Sequence, residues 1–303
     1  MTSQTGTEKR GFWDRLLLVD RRWLYVVIWL VVMVPMLFPF NIKPEAMPPV
    51  RSLFEYIDSM PEDRSLVISV DYTPDTKPEL HPMSIALLRH AFATKRKVGV
   101  LCVNSVMCLG LAEGALRQVS EEFNSRATTR EDSVVNGEDY VFWGWSYPII
   151  TVLLGMGERV TRVFPVDYYG NRTDTLPIMA SLKNYDDMGI VVCIAGSSIP
   201  LSWVNYAYTQ FGCHIGCGIT AVSAADFYPY LNSGQFTGML AGMKGAAEYE
   251  ELVSERMVEL GYEWDLPRKG TEAMSSQTAA HLAIMAFLVI GNIAFFVTRR
   301  RRK

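Results

Sequence analysis

Seven polar side chains fall at or just beyond the carboxyl ends of short apolar runs, where they could contact a ligand. Asp71 could act there as a base, as a metal ligand or as a turn-forming residue, and the Asp-Tyr-Thr-Pro-Asp run that it begins favours the turn. In a doubly wound α/β sheet, the carboxyl ends of the strands converge on one crevice in which ligands bind. The sequence therefore predicts a ligand crevice formed by Asp71, Thr73, Asn104, Ser105, Ser197, Ser198 and Asp226.

The run from Gly196 to Ser198 follows a predicted strand and precedes a predicted helix, which is the setting of a nucleophilic serine. The motif is incomplete, because the closing glycine of Gly-x-Ser-x-Gly is missing. A hydrolase built on Ser197 or Ser198 would also need His81 or His90 within hydrogen-bond reach as the base. Because a serine at this place is also an ordinary helix N-cap, we assign no catalytic residue.

Two cysteines flank a histidine in the run from Cys213 to Cys217, with His214 between them. On a strand, Cys213 and Cys217 would lie about 13 Å apart, since each residue advances the chain by about 3.3 Å. One zinc ion with Zn–S bonds of about 2.3 Å cannot bridge that distance. We therefore predict core packing and no metal site. The dinucleotide, P-loop and zinc-protease motifs are missing from the sequence, so no cofactor is expected.

Four glycines, Gly234, Gly238, Gly242 and Gly245, lie in a segment predicted to be mostly one long helix ending near Gly261. Glycine inside a helix costs up to about 1 kcal/mol relative to alanine, so the spacing indicates close backbone approach along one helix face. The partner could be the sheet of the same chain or a second subunit. Membrane insertion is a third alternative, although charged residues follow the glycines.

The elements that would position these residues alternate between short apolar runs and amphipathic stretches of 10–15 residues. The β-branched, continuously apolar runs are typical of strands buried on both faces of a parallel sheet. We predict an α/β fold with a doubly wound, mostly parallel sheet of about five strands that is covered by helices. Strands are expected at 65–72, 97–104, 139–145, 188–198 and 213–221, and helices at 50–59, 81–95, 106–125, 147–160 and 200–212.

The two ends of the chain each contain an uncharged apolar stretch, at residues 23–40 and 279–297. Both are about as long as a helix must be to cross ~30 Å of hydrocarbon, so two transmembrane helices are predicted. The predicted organisation is a cytoplasmic tail with an interfacial helix (1–22), a transmembrane helix (23–40), a connector with a short helix (41–64), an α/β domain (65–265), a linker (266–277), a transmembrane helix (278–298) and a basic tail (299–303).

Charge is segregated along the chain. The two tails contain ten basic and three acidic residues, whereas the rest of the chain contains 19 basic and 29 acidic residues. The excess of Lys and Arg in the tails predicts that both termini are cytoplasmic and that the domain is extracytoplasmic at the cell membrane. A domain with an excess of ten negative charges is a poor partner for nucleic acid or anionic headgroups.

Three functions are compatible with these features. The first is a structural or accessory subunit of a membrane complex, anchored in the lipid bilayer by two helices. Its expected partners are further copies of itself or other membrane subunits. The second is a small-molecule-binding or sensing domain that uses the crevice. The third is a membrane-bound hydrolase.

Overall fold

The computed structural model describes Phe12, residues 18–38, Phe40, residues 43–264 and residues 266–301. Most of the predicted tail and interfacial helix at 1–22 lies outside the described residues, as do residues 302 and 303. Chain contacts divide the protein into two units. One is Lys43–Thr271, and the other combines the terminal segments Met1–Ile42 and Glu272–Lys303.

The Lys43–Thr271 unit contains one six-stranded parallel sheet in the order β3-β2-β1-β4-β5-β6. Every residue of β1, β2, β4 and β5 is buried, because helices cover both faces of the sheet. The predicted doubly wound parallel sheet is confirmed, with one strand more than the expected five. The strands are β1 (Ser65–Val70), β2 (Val98–Cys102), β3 (Tyr140–Trp145), β4 (Met188–Ala195), β5 (Ile215–Ile219) and β6 (Gly238–Ala241).

The helices of this unit form a layer on each face of the sheet. Alternate strand residues point to opposite layers: Val67 of β1 packs in one core and Ile68 in the other. The Ile68 side is covered by α2 (Pro48–Ser59), α3 (Lys77–Ala93), α4 (Leu109–Asn124) and α9 (Gly242–Glu259). The Val67 side is covered by α5 (Ile149–Glu158), α6 (Val160–Val163), α7 (Ile199–Trp203) with its continuations Val204–Tyr208 and Thr209–Phe211, and α8 (Ala224–Asn232).

The single long helix expected through the glycines is wrong, because the segment folds as α8, β6 and α9. Gly234 and Gly242 have left-handed φ values of 77° and 62°, which end one element and begin the next. Gly238 begins β6 and pairs with Gly216. A Cβ at Gly238 would lie 2.6 Å from the backbone nitrogen of Leu53, so the close approach is to α2 of the same unit. Gly245 likewise packs on backbone within this unit, against Leu240.

The terminal unit contains α1 (Arg21–Leu37) and most of α10 (Lys269–Arg301). Among the described residues, one helix is long and apolar enough to cross a membrane, and it is Lys269–Arg300. Helix α1 has 17 residues and spans only about 26 Å at 1.5 Å per residue. The structure therefore supports one of the two predicted spans. Because α10 begins at Lys269, most of the segment predicted as a linker is helical.

Candidate functional site

The strand order places the topological switch point between β1 and β4. The chain builds outward from β1 through β2 and β3, then returns to β4 and builds the other half of the sheet. In such sheets the crevice for ligands lies beyond the carboxyl ends of the two central strands. Asp71 directly follows β1, and the run from Gly196 to Ser198 directly follows β4. Both therefore lie at the expected edge of the sheet.

Asp71 is buried at this edge, with 1% of its surface exposed, and its carboxylate is fully engaged. Its Oδ1 accepts hydrogen bonds from the backbone N–H groups of Val103 (2.7 Å) and Asn104 (2.9 Å). Its Oδ2 accepts from the Ser69 hydroxyl and from the Cys193 thiol, whose Sγ lies 3.6 Å away. Burial raises the pKa of Asp71, and these hydrogen bonds oppose the rise. Asp71 thus ties β1 to β4 and to the chain after β2.

Asn104 completes this connection. Its side-chain Nδ2 donates to the backbone oxygen of Asp71 at 3.0 Å, while its own N–H donates to the Asp71 carboxylate. The exchange closes a ring of hydrogen bonds between the ends of β1 and β2. Asp71 and Asn104 therefore lie side by side, and the contacts that they make are to each other and to the protein.

The other predicted crevice residues form turns or face solvent. The Thr73 hydroxyl donates to Asp75, and Ser105 Oγ accepts from the Met107 N–H at 3.2 Å, which caps the 3₁₀ turn Val106–Cys108. Ser197 and Ser198 are exposed just beyond β4, and Asp226 is exposed in the first turn of α8. The structure therefore separates the set into two connectors, Asp71 and Asn104, two turn residues and three solvent-facing residues.

Neither candidate histidine pairs with Ser197 or Ser198 in the described hydrogen bonds. His81 Nδ1 lies 2.8 Å from the Tyr72 hydroxyl, and burial, together with nearby Lys77, lowers the pKa of His81 to about 4. His90 is fully buried, and burial lowers its pKa. The two histidines are nine residues apart on α3, or about 13 Å, so they lie at opposite ends of that helix.

His90 belongs to a hydrogen-bonded network among α2, α3 and α9. Its Nδ1 lies 2.7 Å from the Tyr249 hydroxyl, its Nε2 lies 3.3 Å from Asp58 Oδ1, and its ring stacks on Phe54. A neutral imidazole satisfies both contacts, with Nε2–H donating to Asp58 and Nδ1 accepting from Tyr249. Arg256 Nε also donates to Asp58, at 2.9 Å. The network joins three helices and leaves the His90 nitrogens occupied.

A group of carboxylates on α9, not assigned from the sequence, holds the end of the Lys43–Thr271 unit. Glu250 is 4% exposed and accepts hydrogen bonds from the N–H groups of Gly270 and Thr271, both at 3.0 Å, and from the Thr271 hydroxyl at 3.2 Å. Burial raises the pKa of Glu250, and these bonds oppose it. Glu250 therefore caps the first turn of α10, where the N–H groups lack partners within the helix.

The start of the same unit is held by neighbouring carboxylates of α9. Lys43 Nζ forms ion pairs with Glu251 at 2.7 Å and with Glu255 at 3.4 Å. The Met47 N–H donates to Glu248 at 3.0 Å, and Arg268, next to the start of α10, pairs with Glu251. We call Glu248, Glu250, Glu251 and Glu255 the α9 carboxylates. They bind both ends of the unit, and the only sequence signal for them was the acidic run after the glycines.

The five cysteines are free and buried. Cys213 and Cys217 pack in the core on the Val67 side of the sheet. Within residues 43–264 and the other described segments, no group of three or more His, Cys, Asp or Glu side chains is arranged to hold a metal ion.

A comparison with known protein families gives no match for this chain, and no curated protein is significantly similar to it. The arrangement of its own residues must therefore carry any functional argument.

Proposed function

We propose that the protein is a membrane-anchored accessory subunit of a membrane complex. The observation that carries this proposal is α10, an apolar helix of membrane-spanning length whose first turn is bound by the buried Glu250. The α/β unit and the start of the helix are thus one hydrogen-bonded structure. A domain attached in this way suits a fixed place in an assembly better than free diffusion around a flexible tether.

The α9 carboxylates support the same proposal at the other end of the unit. Lys43 and Met47, which follow α1, are held by the helix that also holds the start of α10. If α1 also enters the bilayer, both connections to the membrane depend on a single helix of the domain. The excess of Lys and Arg in the two tails supports the orientation that we propose, with both termini in the cytoplasm and the domain on the other side of the membrane.

Self-association is part of the proposal, but the glycines no longer support it. Gly238, Gly242 and Gly245 are buried and pack inside the Lys43–Thr271 unit. A dimer or larger oligomer would need another surface, in the membrane or on the domain.

A second candidate function, binding of a small ligand at the switch point, is favoured by one observation. Ser197 and Ser198 are exposed directly after β4, at the edge where doubly wound sheets bind ligands. Their hydroxyl and backbone groups could contact a polar ligand. Asp71 would support such a site indirectly, by holding the ends of β1 and β4 in place through its hydrogen bonds.

Membrane topology is the first test. The native cysteines are buried, so a single exposed cysteine can be labelled against a low background. Val222, which is 92% exposed after β5, is a suitable position for V222C. We expect a membrane-impermeant maleimide to label V222C in inverted vesicles only after the vesicles are opened. Labelling in intact inverted vesicles would refute the orientation.

Association is the second test. Native membranes containing the chain are treated with a lysine-reactive cross-linker, and the products are identified by mass spectrometry. Cross-links to a second copy or to another membrane protein are expected. A strict monomer, both in cross-linked membranes and after mild detergent extraction, would rule out the accessory-subunit role. If serine-edge variants such as S197A then changed the binding of a small metabolite, the second candidate would replace it.

A further inference from the structure

A cavity lies at the edge of the sheet opposite the serine pair, next to the amino ends of β4 and β5. Its volume is about 390 Å³, within the range of roughly 300–1,000 Å³ that is usual for small-molecule sites. It lies between the end of α2 and the turn that leads from Phe211 into β5. Its walls include Tyr56, Arg64, Tyr185, Asp186, Phe211 and His214.

Aromatic rings form two of its walls. The rings of Tyr56 and His214 are 4.9 Å apart, and those of Tyr185 and Phe211 are 5.3 Å apart. The Tyr56 hydroxyl donates to the Gly189 oxygen at 3.1 Å, and the Tyr185 hydroxyl donates to a backbone oxygen of α5 at 2.7 Å. Both tyrosine rings are therefore fixed. Fixed ring faces favour a flat, largely apolar ligand body.

Two opposite charges border the same cavity without pairing. No ion pair is formed by Arg64 or by Asp186 within the described residues, although Asp186 accepts a hydrogen bond from Asn184 at 3.2 Å. A guanidinium group binds a carboxylate through parallel hydrogen bonds, and a carboxylate binds an ammonium group. The cavity thus offers one group for each charge of a zwitterion.

Two glycines shape the backbone beside the cavity. A Cβ at Gly189 would overlap the Met60 sulfur, so the strand must pass close to the end of α2. Gly212 has a left-handed φ of 67°, which lets the chain turn from Phe211 toward β5. The shape of the cavity is therefore determined by backbone as well as by side chains.

We propose that this cavity binds a small zwitterion with a flat ring body, of the class of the aromatic α-amino acids. The ligand carboxylate pairs with Arg64, its ammonium group pairs with Asp186, and its ring contacts the aromatic walls. This site is independent of the accessory-subunit function and lies at the other edge of the sheet from the serine pair.

The test is calorimetric titration of the 303-residue chain in detergent with four indoles: L-tryptophan, indole-3-propionate, tryptamine and indole. They carry both charges, the carboxylate alone, the ammonium alone and neither. We expect L-tryptophan to bind about tenfold or more tightly than either singly charged compound, because each charged group contributes a charge-assisted hydrogen bond. Indole should bind most weakly.

Substitutions assign the two charges. In R64Q, L-tryptophan should lose its advantage over tryptamine, and in D186N it should lose its advantage over indole-3-propionate. Each loss of selectivity is a ratio of two affinities measured on the same variant, so it can be measured even when the variant is less stable. R117Q is the matched control, since Arg117 is an exposed arginine on α4 that does not line the cavity, and the affinities of this variant should match those of the native chain.

The proposal is overturned by an absence of saturable binding of all four compounds up to about 10 mM. It is also overturned if indole-3-propionate or tryptamine binds as tightly as L-tryptophan, or if R64Q and D186N keep the native selectivity. None of these outcomes changes the result expected from the membrane topology and cross-linking tests, so failure of this proposal is distinguishable from failure of the accessory-subunit proposal.

Discussion

Removing the carboxylate of Asp71 is expected to destabilise the α/β unit strongly, whereas replacing it with an amide is not. In D71A, the buried N–H groups of Val103 and Asn104 lose their acceptor, as does the Ser69 hydroxyl. Each unsatisfied buried donor costs about 1–3 kcal/mol, so we expect a loss of about 4 kcal/mol. In D71N, the amide oxygen still accepts both N–H bonds and the buried charge is gone. We expect that variant to lie within about 1 kcal/mol of the native chain.

The measurement is thermal unfolding of the purified chain in mild detergent, followed by near-ultraviolet circular dichroism. For a unit of this size, about 4 kcal/mol corresponds to a fall in Tm of roughly 8–16 °C, and 1 kcal/mol to roughly 2–4 °C. The connecting role of Asp71 would be refuted by a D71A variant that melts with the native chain, or by D71N and D71A being equally destabilised. A D71N variant that is stable but has lost ligand binding would instead assign Asp71 to the crevice.

Three further tests, one of them with a control variant, address other parts of the structure. E250A should destabilise the first turn of α10 by about 1–3 kcal/mol, seen as hydrogen exchange of its first amides about tenfold faster or more, and unchanged exchange would contradict the cap. G238A should lower the free energy of unfolding by about 1–3 kcal/mol, because a Cβ at this position meets the α2 backbone. A Cβ at Gly110 meets nothing within 4 Å, so the control variant G110A should keep or raise the Tm. Equal effects of the two substitutions would count against the close approach at Gly238. Burial and the nearby Lys77 lower the pKa of His81 to about 4. The stability that neutral His81 contributes to the fold is therefore fully present above about pH 6.5 and is lost as the pH falls toward 4. Protonation of His81 over this interval should cost up to about 3 kcal/mol of folding free energy. The Tm of H81Q should therefore fall less than the Tm of the native chain between about pH 6.5 and pH 4. If the two Tm values fell in parallel, His81 would not be held in its neutral form by burial.

The sequence was sufficient for five of the six strands because their residues form mostly apolar runs, several of them rich in β-branched side chains. It was not sufficient for β6, which has only four residues, Gly238–Ala241, and begins at a glycine. Glycines at intervals of four fit a helix as well as they fit the boundaries of a turn, a strand and a helix. What requires glycine at Gly238 is the close contact with Leu53 of α2, which lies more than 180 residues earlier in the sequence.

The candidate sites show a similar division. The positions of Asp71 and Asn104 at strand ends followed from the topology of a parallel sheet. Their hydrogen bonds to each other could not be predicted, because they depend on how closely the chain after β2 approaches β1. The cavity at the amino edge had no sequence signal at all. Its walls come from Tyr56, from Tyr185 and from His214, which are far apart in the sequence.

The cap on α10 has a consequence for the order of biosynthesis. Glu250 is translated about 20 residues before the N–H groups that it binds, and those groups stand at the start of the apolar helix. Until Gly270 and Thr271 have been made, the Glu250 carboxylate of a nascent domain lacks the donors that it has in the folded chain. The contacts of Glu250 can therefore form only after the segment leading into α10 has been made. If α10 enters a membrane, as we propose, its insertion and the last hydrogen bonds of the domain would be neighbouring steps of synthesis.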